Sequence, residues 1–258
     1  MHLSRRTIMK LAPWMVAAFF VVVWQVICVG FDVPSFLFPA PSEVYKVGMS
    51  LAQPILQHAT QTFLTTMAGF AIAVVVGLVL GAALGSSAVV YRALYPLLVA
   101  FNSIPKVAFV PVLVLWFGIG TVPAILTAFL ISFFPVMVNV ATGLATLEPE
   151  LEDVLRSLGA SRLDILMKVG FPRSMPFFFA SLKVAITLAF VGSVVSETVA
   201  SNEGIGYLMM SASSSSNMPL VFAGLIVIGA MGVVTYELFA WIERRVTGWA
   251  IRGQNAPG

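Results

Sequence analysis

The feature that most constrains the fold is a series of long apolar segments without a charged side chain. Residues Leu11–Phe31 and Ala59–Tyr91 contain no Asp, Glu, Lys or Arg. A helix needs about 20 mainly apolar residues to cross roughly 30 Å of hydrocarbon, so each segment can span a bilayer. Only 10% of the residues are charged, against about 25% in soluble domains. The sequence therefore predicts an all-α membrane protein.

Turn residues and polar segments divide the apolar sequence into six predicted transmembrane helices. Two glycines and a proline within residues 118–123 break the stretch after Lys106 into two helices. The predicted spans are Leu11–Phe31, Phe63–Leu84, Leu94–Trp116, Pro123–Leu144, Ser174–Thr198 and Pro219–Phe239. Gly77, Gly81 and Gly85 have the GxxxG spacing of closely packed helices. We expect them to pack within one subunit, with a contact between two copies as the alternative.

The positions of the arginines predict the orientation, because cytoplasmic loops of membrane proteins are enriched in Lys and Arg. With the N-terminus inside, every arginine is cytoplasmic: Arg5, Arg6, Arg92, Arg156, Arg162, Arg173, Arg244, Arg245 and Arg252. The first apolar segment is longer than a signal-peptide core and lacks a cleavage site, which favours a retained span. We predict cytoplasmic segments at 1–10 and 247–258 around a six-helix membrane domain at 11–246.

Few side chains could perform enzymatic chemistry. The single cysteine, Cys28, excludes a disulfide framework, and His2 and His58 lie far apart without a metal-binding motif. No Gly-rich phosphate-binding loop occurs, and the net charge of +3 is too small to indicate nucleic acid. We therefore expect a chain that is not an enzyme and binds no cofactor of its own.

A charged loop at 148–173 lies between the fourth and fifth predicted spans. Its pattern predicts a first short helix over Glu150–Leu158, ended by Gly159 as the residue after the C-cap. Ser161 begins a second short helix with Asp164 three positions later, as in a capping box. Two amphipathic helices joined at a glycine form either a docking surface or an ordinary connection.

The loop resembles the EAA loop of type I ABC importer permeases. In that motif the EAA triplet is followed by three residues, a glycine, nine residues and Ile-x-Leu-Pro. Gly159 and Pro172 have this spacing, and Pro172 is expected to end the second short helix. The triplet positions hold Asp153-Val154-Leu155, and Val169 and Phe171 replace Ile and Leu.

Further segments resemble the nitrate/sulfonate/taurine branch of these permeases. They are Phe38-Pro39-Ala40-Pro41, Ser103 to Pro111 (SIPKVAFVP), Leu115 to Gly120 (LWFGIG), Phe133-Phe134-Pro135 and Glu203 to Leu208 (EGIGYL). The resemblance covers about residues 36–246. It implies a six-helix, MetI-like transmembrane domain in the bacterial inner membrane.

The resemblance also implies an assembly. It contains a second copy of the permease, a cytoplasmic ABC ATPase dimer that binds ATP-Mg, and a periplasmic or lipid-anchored substrate-binding protein. The residues implied to couple the loop to the ATPase are Glu152, Asp153, Arg156, Gly159, Ala160 and Pro172. No nucleic acid is expected, and membrane lipid surrounds the spans.

Polar side chains within the predicted spans are candidates for a translocation pathway, because ionisable groups in a membrane indicate function by default. The candidates are Asn102, Ser103, Lys106, Asn139, Ser193 and Glu197. Lys106 and Lys183 either serve the solute or extend to the membrane interface. Glu197 either serves an external gate or lies at the interface.

The predicted function is import of a small anionic or polar organic solute. Candidate solutes in this branch are sulfonates, taurine, nitrate, aromatic carboxylates and pyrimidine or flavin vitamin precursors. A secondary active transporter is the alternative, although no internal repeat supports it. A membrane enzyme is a third class. The sequence does not favour it, because Glu197 has no second catalytic group near it.

Overall fold

The computed structural model describes residues 5–85, 88–145 and 154–247, and every regular element within them is helical. The first six helices are α1 (Arg5–Gly30), α2 (Pro41–Ser50), α3 (Ala52–Gly85), α4 (Ala88–Ser103), α5 (Val110–Phe117) and α6 (Thr121–Ala145). They are followed by α7 (Arg162–Ile165), α8 (Phe171–Ala200), α9 (Ile205–Ser214) and α10 (Met218–Val246). A 3-10 turn at Lys106–Phe109 joins α4 to α5, and a π-helical turn at Leu166–Gly170 joins α7 to α8.

Five helices of the described chain are long and apolar enough to cross a membrane: α1, α3, α6, the α7–α8 run from Met167, and α10. The predicted third span, Leu94–Trp116, is not one straight helix. It is a pair, Val89–Ser103 and Lys106–Phe117, bent by 76°. Pro105 explains the break, because proline removes a backbone donor and disfavours helix at the residue before it. Counting the pair as one span gives six.

The core lies where α3, α6 and α8 pack together, and half of the apolar stretch of α6 and of α8 is buried. A Cβ built on Gly77 would lie 2.7 Å from the Cβ of Val136, and one on Gly81 would lie 2.7 Å from that of Val140. Gly85 faces Leu144 in the same way. These glycines therefore bring α3 against α6 of the same chain, which confirms packing within the subunit.

Helix α1 lies at the periphery. Only 6% of its apolar stretch is buried, and side chains such as Trp14 and Phe20 are exposed. Its contact with the bundle comes through Trp24, whose ring lies 5.5 Å from that of Phe38 and 5.7 Å from that of Phe222 on α10. The lipid-facing exposure explains why its sequence is apolar on all sides.

The second short helix of the 148–173 loop does not end at Pro172, contrary to the sequence prediction. Helix α7, the π turn and α8 form one uninterrupted helical run from Arg162 to Ala200. Pro172 occupies the first turn of α8 and follows the π turn directly. A wider π turn accommodates the proline ring, which in a regular helix would meet the carbonyl four residues earlier.

Candidate functional site

The first half of the loop between α6 and α7 ends in the glycine turn that the sequence predicts. Gly159 has a φ of +85°. Its amide donates to the carbonyl of Arg156 at 2.9 Å, and the amide of Ala160 donates to the carbonyl of Leu155 at 3.0 Å. This pair of bonds is the Schellman motif, and it confirms Gly159 as the residue that ends the helical turn. Glu152 and Asp153 lie outside the described residues.

The second half begins at Ser161, as predicted. The Ser161 hydroxyl oxygen accepts from the Asp164 amide at 3.1 Å, and the hydroxyl donates to the Asp164 carboxylate at 2.5 Å. Lys168 pairs with the same carboxylate at 2.7 Å. The Lys168 hydrogen bond, followed by that from Ser161, lowers the pKa of Asp164 to about 2. The carboxylate is therefore charged throughout the physiological range.

The two halves of the loop enclose a concave surface. A cavity of about 320 Å³ lies between them. Its lining includes Leu155, Leu158, Gly159, Ala160, Ile165 and Val169, with Asp164 and Lys168 at the polar side. Leu158 is 77% exposed beside it, and Val154 and Met167 are also exposed. Leu158 and Val154 lie outside the candidate membrane spans, and exposed apolar side chains in such a place are typical of a protein contact.

The break between α4 and α5 holds a buried ammonium. Lys106 is 9% exposed, and its Nζ donates to the backbone carbonyl of Asn102 and, at 2.7 Å, to the Asn102 side-chain oxygen. It lies 5.8 Å from the centre of the Phe101 ring. The charge thus occupies the C-terminal end of α4, where the helix dipole favours a cation. No carboxylate in the described ranges pairs with it.

Lys183 is an ion-pair partner in this structure. Its Nζ lies 2.5 Å from a carboxylate oxygen of Glu243, and both side chains are 19% exposed. The ammonium also lies 6.0 Å from the centre of the Tyr236 ring. The pair joins α8 to α10. Glu243 is not indicated as the partner of Lys183 by the sequence, since a contact across 60 residues has no local pattern.

The remaining pathway candidates lie in different environments. Ser103 is exposed and donates to the Val99 carbonyl, whereas Asn139 is half-buried and donates to the Pro135 carbonyl. Ser193 is fully buried and Glu197 is 2% exposed, both on α8. The hydrogen bonds join Lys106 to Asn102 but join neither residue to the other four candidates. Whether any of them lines a pathway stays a prediction.

Glu197 has partners that the sequence analysis missed. Its carboxylate accepts from Thr62 at 2.8 Å, from Thr65 at 3.3 Å and from the Gly206 amide at 3.0 Å. Thr62 and Thr65 are on α3 and Gly206 is in the first turn of α9. A buried polar stripe on α3 is visible in the sequence as threonines in an apolar segment, but their partner on α8 is not.

Comparison with known proteins gives the family. The family model described as "Binding-protein-dependent transport system inner membrane component" matches residues 73–248. A probable ABC transporter permease of Haemophilus influenzae is 31% identical over 241 residues, covering 93% of this chain and 98% of its own. The formylaminopyrimidine transport permease ThiX of Halalkalibacterium halodurans is 28% identical over 95% of this chain and 98% of its own. The taurine permease TauC of Escherichia coli is 28% identical over 96% and 91%.

A solved structure supports the fold independently. An inward-facing structure of the MetNI methionine ABC transporter superposes with a TM-score of 0.64 at 19% identity, covering 77% of this chain and 98% of its own. Proteins of the matched family are transport subunits, and ATP is hydrolysed by a separate ATPase. This assignment decides against the secondary transporter and the membrane enzyme. The chain belongs to the family of membrane-spanning permease components of binding-protein-dependent ABC importers.

Proposed function

We propose that this permease imports a small organic solute with a negatively charged or strongly polar group. The observation that carries the proposal is the buried ammonium of Lys106, whose hydrogen-bond partner among the described residues is the neutral Asn102. A cation in a membrane domain is costly and is retained where it has a role. At the break between α4 and α5 it can attract an anionic group that reaches the bend.

The names of the relatives support a solute of this kind. Those proteins are named for transport of formylaminopyrimidine, riboflavin, taurine, nitrate and aliphatic sulfonates. All are small and polar, and taurine, nitrate and the sulfonates carry an anionic group. The pathway that we propose passes Asn102, Ser103 and Lys106, because these side chains lie at the bend.

We further propose that the loop before α8 docks on the ATPase. The contact surface would contain Glu152, Asp153, Arg156, Gly159, Ala160 and Pro172. The exposed Leu158 and the neighbouring cavity of about 320 Å³ support a protein contact at this position. The working assembly would be a permease homodimer with an ATPase dimer and a binding protein, in the bacterial inner membrane.

The test of the substrate class is uptake by proteoliposomes that contain the whole importer. Taurine, nitrate, formylaminopyrimidine and riboflavin are offered together with the importer's binding protein. We expect Lys106→Met to lower uptake of the transported solute about tenfold or more, with assembly intact, and Lys106→Arg to lower it less.

Lys46→Met is the matched control, since Lys46 is an exposed lysine on α2, away from the bend. The control should transport normally. Equal uptake by Lys106→Met and Lys46→Met would show that the ammonium at the bend does not serve the solute.

A labelling experiment tests the orientation, for which we propose cytoplasmic termini. Single cysteines replace Ser157, in the loop before α7, or Ser214, at the end of α9, in a Cys28→Ser background. Both positions are exposed. A membrane-impermeant thiol reagent added to whole spheroplasts should label Ser214→Cys only. Labelling of both positions from outside would refute the orientation.

A further inference from the structure

The segment Glu203 to Leu208 has no role in the function proposed above, although its sequence pattern is distinctive. In the structure it wraps around the carboxylate of Glu197. That carboxylate is 2% exposed and accepts three hydrogen bonds, from Thr62, Thr65 and the Gly206 amide. The side chain therefore joins α3, α8 and the start of α9 at one point, at the end of the bundle opposite the loop at 154–160.

The two glycines of the segment leave room for this carboxylate. Gly204 has a φ of +100°, and a Cβ built on it would lie 2.6 Å from Oε1 of Glu197. A Cβ built on Gly206 would lie 2.7 Å from the Glu197 Cβ. Both distances are shorter than any ordinary contact, so a side chain at either position would displace Glu197 or the backbone.

Three consecutive amides at the start of α9 are bound by side chains from other helices. The Gly204 amide donates to Nδ1 of His58 at 3.1 Å, and the Ile205 amide donates to the Thr62 hydroxyl at 2.7 Å. The Gly206 amide donates to Glu197. A helix begins with amides that have no partner within the helix, and its dipole favours an anion there. Because Gly204 at the N-cap has no side chain, Glu197 takes the place of the capping residue.

We propose that Glu197 is a positioning residue that holds the N-terminus of α9 on α3 and α8, and that transport requires this end of the bundle to move as one unit. The carboxylate is enclosed by α3, α8 and α9, so it does not meet the solute. We name this set of contacts among Glu197, Thr62, Thr65 and Gly206 the α9 clasp.

The first test measures the clasp directly and needs no substrate. Leu208 on α9 is half-buried, and Leu208→Cys in a Cys28→Ser background reports whether α9 leaves the bundle. The full chain in detergent is treated with a thiol reagent. We expect Glu197→Ala to raise the labelling rate at least tenfold, and Glu197→Gln, which keeps the shape and one acceptor, to raise it much less.

Two controls keep the labelling test decisive. Thr62→Val removes the donor that lies 2.8 Å from Glu197 and the acceptor of the Ile205 amide while preserving volume, and it should also raise the rate if Glu197→Ala fails to fold. Thr60→Val is the matched control, because the Thr60 hydroxyl bonds only the Leu56 carbonyl of its own helix at an exposed position. An unchanged labelling rate in a folded Glu197→Ala or Thr62→Val protein would overturn the clasp.

The second test uses transport and rests on the proposed function. Glu197→Ala should lower the maximal uptake rate several-fold with the KM unchanged, and Glu197→Gln should lower it less, whereas loss of a residue that contacts the solute would change the KM. A raised KM with an unchanged maximal rate would place Glu197 in the pathway and overturn the proposal. If the wild-type importer takes up none of the solutes offered, the proposed substrate class fails, and the labelling result still decides on the clasp.

Discussion

The contact between α3 and α6 predicts a specific loss of stability in Gly81→Ala. The new methyl carbon would lie 2.7 Å from both the Met137 carbonyl oxygen and the Val140 Cβ, where ordinary contact begins at 3.4 Å. The two helices must therefore separate by up to about 0.7 Å along the middle of the core. Overpacking of a well-packed core costs about 1–3 kcal/mol. This loss is partly offset by a gain of about 1 kcal/mol in helix propensity.

Gly229→Ala on α10 isolates the packing effect. A Cβ on Gly229 meets nothing within 4 Å, so this variant has the propensity gain without the clash. The stability difference between the two variants is then the overpacking energy itself, about 1–3 kcal/mol.

The assay is thermal unfolding of the purified full chain in one detergent. We expect the midpoint of Gly81→Ala to lie several degrees below that of Gly229→Ala. Equal midpoints would refute the reasoning, because they would mean that α3 and α6 are not in close contact at Gly81.

Three further predictions concern charged groups and the loop before α7. Gly159→Val should insert normally but lose transport, because the positive φ at position 159 disfavours a β-branched residue by about 1–2 kcal/mol. Gly159→Asn should keep uptake, because asparagine tolerates that conformation. Equal uptake by both variants would show that transport does not need the turn. Lys183→Met should lower the thermal midpoint by leaving Glu243 without its cation, and the double variant with Glu243→Gln should recover part of it; additive losses would contradict the pair. The pKa of Asp164 is lowered from its ordinary value of 3.8 to about 2. The stabilisation that its charged carboxylate gives to the loop, through Lys168 and Ser161, is therefore complete above pH 3.8 and is lost as the pH falls through about 2. ATPase binding should therefore have the same pH profile between pH 5 and 8 in wild type and Asp164→Asn, and a difference in shape would contradict the assignment.

Local patterns predict local structure in this chain. The positive φ at Gly159, the cap at Ser161 and the GxxxG face of α3 follow from spacing alone, and the structure confirms them. The long apolar helices follow from hydropathy in the same way. Each of these features depends on residues within one or two helical turns.

Features that depend on distant partners were not predictable. No local pattern pairs Glu197 with Thr62, which is 135 residues away. Pro172 was expected to stop a helix, since the rule for proline assumes α-helical geometry and the π turn before it relieves the clash. The 76° bend at Lys106 was foreseen as a kink but not as a near-perpendicular break, because its angle is set by packing against α6 and α8.

The uninterrupted helical run from Arg162 to Ala200 connects the loop before α7 directly to the opposite end of the bundle, where the α9 clasp lies. At 1.5 Å per residue it is roughly 55–60 Å long. It packs along α6, with Ser174 against Gly143 near one end and Gly192 against Ala128 near the other. A tilt of about 5° about its midpoint would move each end by about 2.5 Å in opposite directions. A displacement of that size is comparable to the length of a hydrogen bond. A small displacement of the loop at one end would therefore move the α9 clasp at the other end, together with the start of α9 that the clasp holds. The π turn at Leu166–Gly170 lies at the loop end of this run.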